Sequence, residues 1–172
     1  MSLNNFCNRC GSNQILTEVQ MLKCNNCELE IYLNPKPSTS IIFYTGNQVL
    51  IAKRARDPYK GKWGLPGGFM ENGENLEECT HREVMEELGI ESTDPKYFCS
   101  IYCPEYEYQG ENYTGMCSIF YEEISVEKFN KIKPADDVAE VKLVSKAELN
   151  NFSFCYNIDK LIYNFYEKIL KI

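Results

Sequence analysis

The chain has 172 residues, 44% hydrophobic and 25% charged, enough for one medium core with a small module attached. Its 25 acidic and 18 basic residues give a formal charge of −7, which argues against sequence-independent nucleic-acid binding, since that depends on a basic face. No apolar run approaches the ~18 residues of a membrane span, and Met1 to Asn13 holds no signal-like stretch, so no membrane partner and a cytoplasmic location are expected.

The first 33 residues hold two pairs, Cys7-x2-Cys10 and Cys24-x2-Cys27, separated by 13 residues. Four thiolates at this spacing predict a closed tetrahedral zinc site, structural because no position is left for water. Disulfides are the alternative, disfavoured in a reducing compartment. A module of ~30 residues has too small a core to fold alone, so metal binding would supply much of its folding free energy. Arg9 and Lys23 stand against Glu18, Glu28 and Glu30, so this module is not basic and nucleic acid is not its expected partner. The other cysteines, Cys79, Cys99, Cys103, Cys117 and Cys155, sit among apolar neighbours and read as small buried hydrophobes.

Asn34-Pro35-Lys36-Pro37 reads as a linker, because each proline biases its predecessor to extended backbone. From Ser38 to Ile172 the pattern is that of a mixed α/β domain. Strands are predicted at Ser38–Tyr44 and Gln48–Arg54, joined through Thr45-Gly46-Asn47 as a hairpin. A glycine-rich irregular stretch runs from Gly61 to Gly73, followed by a helix over Asn75–Leu88 that Gly89 ends. Further strands are predicted near Lys96–Tyr102, Tyr113–Ile124 and Val138–Val144. Ser145 and Glu148 have capping-box spacing, and Ile158, Leu161, Ile162, Phe165 and Ile169 form the core stripe of a C-terminal helix.

The chemistry concentrates in the helix. At about 100° per residue, Glu83, Glu86 and Glu87 share an arc of ~100°, while Val84, Met85 and Leu88 lie on the apolar side. Like charges so close repel, and a hard divalent cation with its preference for oxygen ligands reverses the sign. A solvated acidic face is the plain alternative for three glutamates alone. Arg82 follows Glu78 by four residues, the favourable order for an ion pair. His81, the only histidine, falls on the apolar side and is expected to pack rather than react.

The spacing Gly68-x5-Glu74-x7-Arg82-Glu83-Val84-x-Glu86-Glu87-x-Gly89-Ile90 resembles the complete Nudix box, Gx5Ex7REUxEExGU with U a bulky aliphatic residue. The resemblance implies an α/β/α sandwich with a mixed sheet, here preceded by the zinc ribbon. It implies that Glu83, Glu86 and Glu87, helped by the Gly68 carbonyl, bind Mg2+ or Mn2+, while Arg82 and Glu74 orient the acidic cluster. The implied activity is hydrolysis of a nucleoside diphosphate linked to another moiety. Candidate bases are Glu83, Glu122, Glu123 and Glu140.

A ribbon joined through Tyr32-Leu33-Asn34-Pro35 is similar to NADH, FAD and ADP-ribose pyrophosphatases, often homodimers, over roughly residues 6 to 150. The SQPWPFP-like array of NADH pyrophosphatases is missing from Ser100 to Tyr108. Pro104 resembles the marker of ADP-ribose hydrolases, and Tyr106 or Tyr108 that of dinucleoside polyphosphate hydrolases. ADP-ribose, FAD or a similar dinucleotide is therefore the expected small-molecule substrate. NAD(H) is an alternative, as is a non-catalytic nucleotide sensor or nucleic-acid-binding protein. Arg54 and Arg56 suit phosphate, and Trp63 and Tyr106 suit a base, as further substrate contacts.

Overall fold

The computed structural model describes residues 6–17, 21–108 and 111–172, with the side chains of 105–112 outside the description. The chain forms two compact units: residues 1–36 with 104–115, and residues 37–103 with 116–172. No helix among the described residues is long and apolar enough to cross a membrane.

In the first unit, β1 (Ile15–Thr17), β2 (Met21–Cys24) and β3 (Glu30–Tyr32) form an antiparallel sheet in that order. The hydrophobic pattern is too short to announce these strands; turns built around the cysteines bring them together. The Cys24 carbonyl accepts the Glu28 N–H at 2.9 Å, and the Cys7 carbonyl accepts the Gly11 N–H at 2.8 Å.

The remaining strands are β4 (Lys36–Thr45), β5 (Gln48–Arg54), β6 (Trp63–Gly64), β7 (Lys96–Tyr108), β8 (Glu111–Glu123) and β9 (Val138–Ser145); the second unit holds all of them except Lys36, residues 104–108 of β7 and residues 111–115 of β8. The strand order is β6-β5-β4-β8-β7, with β9 antiparallel to β5 along its length. β4 meets β5 at the hairpin end, through Tyr44 opposite Val49, and then diverges. Into that gap comes the segment before the helix: Ile41 N–H donates to the Pro66 carbonyl at 3.0 Å and Thr39 N–H to the Gly68 carbonyl at 2.9 Å.

Strands buried on both faces read as continuous apolar runs, and alternation sends their side chains to two cores. Ile41, Phe43, Leu50, Ala52 and Phe120 pack with Val84 and Leu88 of α1 (Leu76–Leu88). Ile42, Val49, Ile51, Ile119 and Val144 pack with Ile158, Leu161, Ile162 and Phe165 of α3 (Ile158–Phe165). The result is the expected helix–sheet–helix sandwich. A short α2 (Val126–Phe129), capped by Ser125, was not evident in the apolar pattern. The capping box at Ser145 and Glu148 forms and opens a 3₁₀ turn. Beyond Phe165 the helix widens into a π turn, so Tyr166 is the next fully buried side chain, its hydroxyl donating to the Val144 carbonyl at 2.7 Å, while Ile169 is only half-buried.

Candidate active site and metal centre

Local signals position α1. Asn75 accepts the Glu78 N–H and Glu78 accepts the Asn75 N–H, closing a capping box at the start; Gly89, at φ 65°, takes the left-handed conformation that ends the helix. Glu78 is thus used by the cap. Arg82 pairs instead with Glu74, its Nε to Oε1 at 2.5 Å and Nη2 to Oε2 at 3.1 Å. The fork geometry of guanidinium on carboxylate outcompetes a single helical contact.

Arg82 is also the hub of the acidic cluster. Its Nη1 donates to Glu83 Oε1 at 2.8 Å and Glu86 Oε2 at 2.9 Å, and its Nη2 donates to the Phe69 carbonyl at 2.9 Å. Hydrogen bonding from Arg82 holds the Glu74 carboxyl down to about 2, and Glu74 in turn raises the proton affinity of Arg82. Glu83 and Glu86 therefore already share one cationic nitrogen, and the like-charge repulsion expected between them is offset within the protein.

Two glycines let the pre-helix segment pass close by. A Cβ on Gly67, whose φ is 138°, would stand 2.2 Å from the Thr39 carbonyl oxygen; one on Gly68 would stand 2.5 Å from Glu83 Oε1. Glu83 thus lies directly on the Gly68 backbone. The Gly68 carbonyl is not free, since it accepts Thr39 N–H, yet a carbonyl oxygen keeps a second lone pair.

Glu87 differs from its neighbours. It is only 5% exposed and accepts the Gly67 N–H at 2.8 Å. Burial pushes its carboxyl up to about 8, and nearby Glu83 and Asp137 push the same way. Glu83 is likewise raised, first by burial and then by Glu86 and Asp136, against the pull of Arg82. Val84 and Leu88 are buried as expected, whereas Met85 is 45% exposed, because it lies at the edge of the apolar arc.

The remaining candidates separate. Arg54 spends its Nε on the Pro58 carbonyl at 2.6 Å and lies within electrostatic reach of Glu87. The Arg56 guanidinium is taken by Asp136 at 2.9 Å and Asp137 at 3.1 Å. Trp63 is 7% exposed and stacks edge-on with Phe152. His81 is half-buried. The Tyr106 and Tyr108 side chains lie outside the described residues. Glu122 faces Ser92, Thr93 and Lys128; burial alone would raise it, but those donors hold it low. Glu140 is held low by Lys142 and Lys53. The sequence reading missed Asp136 and Asp137, for which the one local signal was a pair of aspartates ahead of a predicted strand.

The cysteine cluster is compact. The four sulfurs of Cys7, Cys10, Cys24 and Cys27 lie within 4.8 Å of one another, and no other group of three or more His, Cys, Asp or Glu ligand atoms among the described residues converges in this way. The Cys7–Cys27 and Cys10–Cys24 sulfur separations are 3.6 and 3.7 Å. A tetrahedron with ~2.3 Å metal–sulfur bonds has edges of about 3.8 Å, so the arrangement can hold a metal ion. A hydrogen bond from the Asn26 amide lowers the Cys10 thiol, while burial and the neighbouring sulfurs push Cys27 up.

Comparison with known proteins agrees with this geometry. The NUDIX domain profile matches residues 34–165. The chain is 35% identical over 98 residues to the NAD-capped RNA hydrolase NudC of Pseudomonas aeruginosa, covering 56% of this chain and 35% of that protein. It is 43% identical over 60 residues to an ADP-ribose pyrophosphatase of Methanocaldococcus jannaschii, covering 35% of this chain and 36% of that protein. Each match therefore spans about a third of the relative's length. The crystal structure of a NUDIX hydrolase from Nitrosomonas europaea superposes with a TM-score of 0.66 at 27% identity, covering 95% of this chain and 91% of that one.

Proposed function

The chain belongs to the NUDIX domain family, and from that premise we propose that it hydrolyses the phosphoanhydride bond of a nucleoside diphosphate joined to another moiety, in a reaction dependent on Mg2+ or Mn2+. One observation carries the reading: Glu83 and Glu86 converge on a single cationic nitrogen, with Glu83 against the Gly68 backbone. Two carboxylates sharing a cation beside a backbone carbonyl suit a hard divalent ion. Glu83, Glu86, Glu87 and the Gly68 carbonyl would hold that ion. When bound, it offsets the charge of the diphosphate and acidifies a coordinated water.

The protein's own groups do the rest. Arg82 and Glu74 orient the cluster. Glu83, raised in proton affinity and facing the site, is the favoured base. Glu122 and Glu140 are committed to other partners, and Glu123 is exposed beside Tyr44. Among the described residues Arg54 pairs only through its Nε, on the Pro58 carbonyl, so it is the phosphate contact favoured over Arg56. Trp63, closed off by Phe152, supports the core more than a stacked base.

The proposed organisation is a zinc ribbon over residues 1–33 and the hydrolase domain over 38–172; of the expected linker over 34–37, Lys36 and Pro37 already belong to β4, so the connection is shorter than the prolines suggested. The ribbon zinc is structural. The five cysteines outside the ribbon are free thiols, which suits the reducing cytoplasm, and a homodimer is the proposed assembly. ADP-ribose or FAD is the first substrate reading. NAD(H) is a second, favoured by the 35% identity to an NAD-capped RNA hydrolase. A substrate panel of ADP-ribose, FAD, NADH and diadenosine polyphosphates, with and without Mg2+ or Mn2+, tests the proposal. Turnover should appear only with the cation and fall about a thousandfold in Glu86→Gln. Silence across the panel, with tight binding of nucleotide or RNA, would replace the hydrolase by a sensor.

A further inference from the structure

Asp136 and Asp137 belong to the loop between Lys133 and Val138, which is tied down at both ends of its path. Lys133 N–H and Ala135 N–H donate to the Leu88 and Glu87 carbonyls, both at 2.9 Å, so the loop closes on the last turn of α1. On the other side, Ala55 N–H donates to the Asp137 carbonyl at 2.8 Å, which joins the loop to the exit of β5. Asp136 adopts φ 49°, in a turn that Val138 N–H closes on the Ala135 carbonyl at 2.9 Å; aspartate takes this left-handed conformation readily in turns. Arg56 bridges the turn's two side chains, its Nη2 on Asp136 Oδ1 at 2.9 Å and its Nη1 on Asp137 Oδ1 at 3.1 Å. One guanidinium thus orients two adjacent carboxylates.

We infer that Arg56 is a positioning residue, holding the Asp136–Asp137 loop beside the acidic turn of α1, and that it makes no contact with substrate. Two facts carry this. Both terminal nitrogens of Arg56 are already committed to carboxylates. The loop it meets is bonded to the Glu87 carbonyl, on the residue whose side chain accepts the Gly67 N–H. Arg56 is 63% exposed, so its ion pairs contribute little to stability and their consequence is geometric.

The inference rests on the hydrolase reading for its kinetic arm and is independent of it in a second arm. With the panel substrate that the wild type turns over, Arg56→Ala should lower kcat on the order of tenfold while KM stays within about twofold, the signature of lost alignment rather than lost binding. Arg56→Lys, which can keep one pairing, should recover part of the loss. Asp136→Asn with Asp137→Asn should reproduce it, and adding Arg56→Ala to that pair should cost nothing further. In parallel, hydrogen exchange at the Ala55 and Ala135 amides should quicken in Arg56→Ala, whether or not any substrate is found. A tenfold rise in KM at unchanged kcat would make Arg56 a substrate contact and overturn the inference. Additive losses, unchanged kinetics, or unchanged exchange at both amides would overturn it as well. A wild type inactive on every substrate, with exchange at both amides still accelerated by the substitution, would sink the hydrolase reading and leave the loop clamp standing.

Discussion

The two ligand clusters of this chain stand in opposite states of assembly. In the first unit, four cysteine sulfurs come within 4.8 Å of one another, with spacings near the edge of a metal-centred tetrahedron. In the second, three carboxylates on one helix are held by separate partners: Glu83 and Glu86 are stapled by Arg82, and Glu87 turns inward to the Gly67 N–H. The cysteine cluster already has the closed spacing that the proposed structural zinc would need. The acidic helix instead carries an internal cation and a buried glutamate where the proposed divalent ion would bind.

The sharpest break between the two should come from metal removal. Cys24→Ser, or a strong chelator, should abolish bound zinc and the amide protection of β1 to β3, since such sites contribute about 10–16 kcal/mol to folding. Trp63, the only tryptophan, reports on the second unit, and its thermal transition should persist. Loss of the Trp63 transition along with the ribbon would show that the two clusters do not act separately.

A smaller effect should come from Glu87. Its folded-state carboxyl lies near 8 against an ordinary 4.5. Between those values the unfolded chain is ionised while the folded chain keeps the proton. The contribution is therefore complete below about 4.5 and is lost as pH rises through 8. In the metal-free protein, raising pH from 6 to 9 should cost about 2–3 kcal/mol more in wild type than in Glu87→Gln, read by denaturant titration. Equal pH slopes would mean that Glu87 is ionised in the folded state.

Arg82→Lys tests the internal cation. A lysine keeps the charge but cannot serve Glu74, Glu83 and Glu86 together, so the metal-free protein should lose about 1.5–3 kcal/mol. Addition of Mn2+ should restore part of this by replacing the lost bonds between Glu83 and Glu86; a deficit insensitive to Mn2+ would argue that the ion sits elsewhere. Asn75→Ala should be the mildest change, about 1 kcal/mol from the lost cap, with turnover preserved because the cap lies at the far end of α1.

Much of this could be read in the chain itself, because the informative interactions are local. The β5 boundaries, the helix start at Asn75, the stop at Gly89 and the paired cysteines each follow from neighbours a few residues apart. The nearness of Glu83 and Glu86 follows from the helical period alone. Contacts across long sequence separations were not legible. No local rule says that Arg82 prefers Glu74 to Glu78, that Glu122 is absorbed by Ser92 and Lys128, or that Arg56 meets aspartates eighty residues onward. The sequence alone therefore determined which side chains share a helix face and which thiols share a turn, since backbone periodicity sets both. Only the tertiary structure decided which charges neutralise one another, because that depends on the segments the sheet brings together and on how far each group is withdrawn from water.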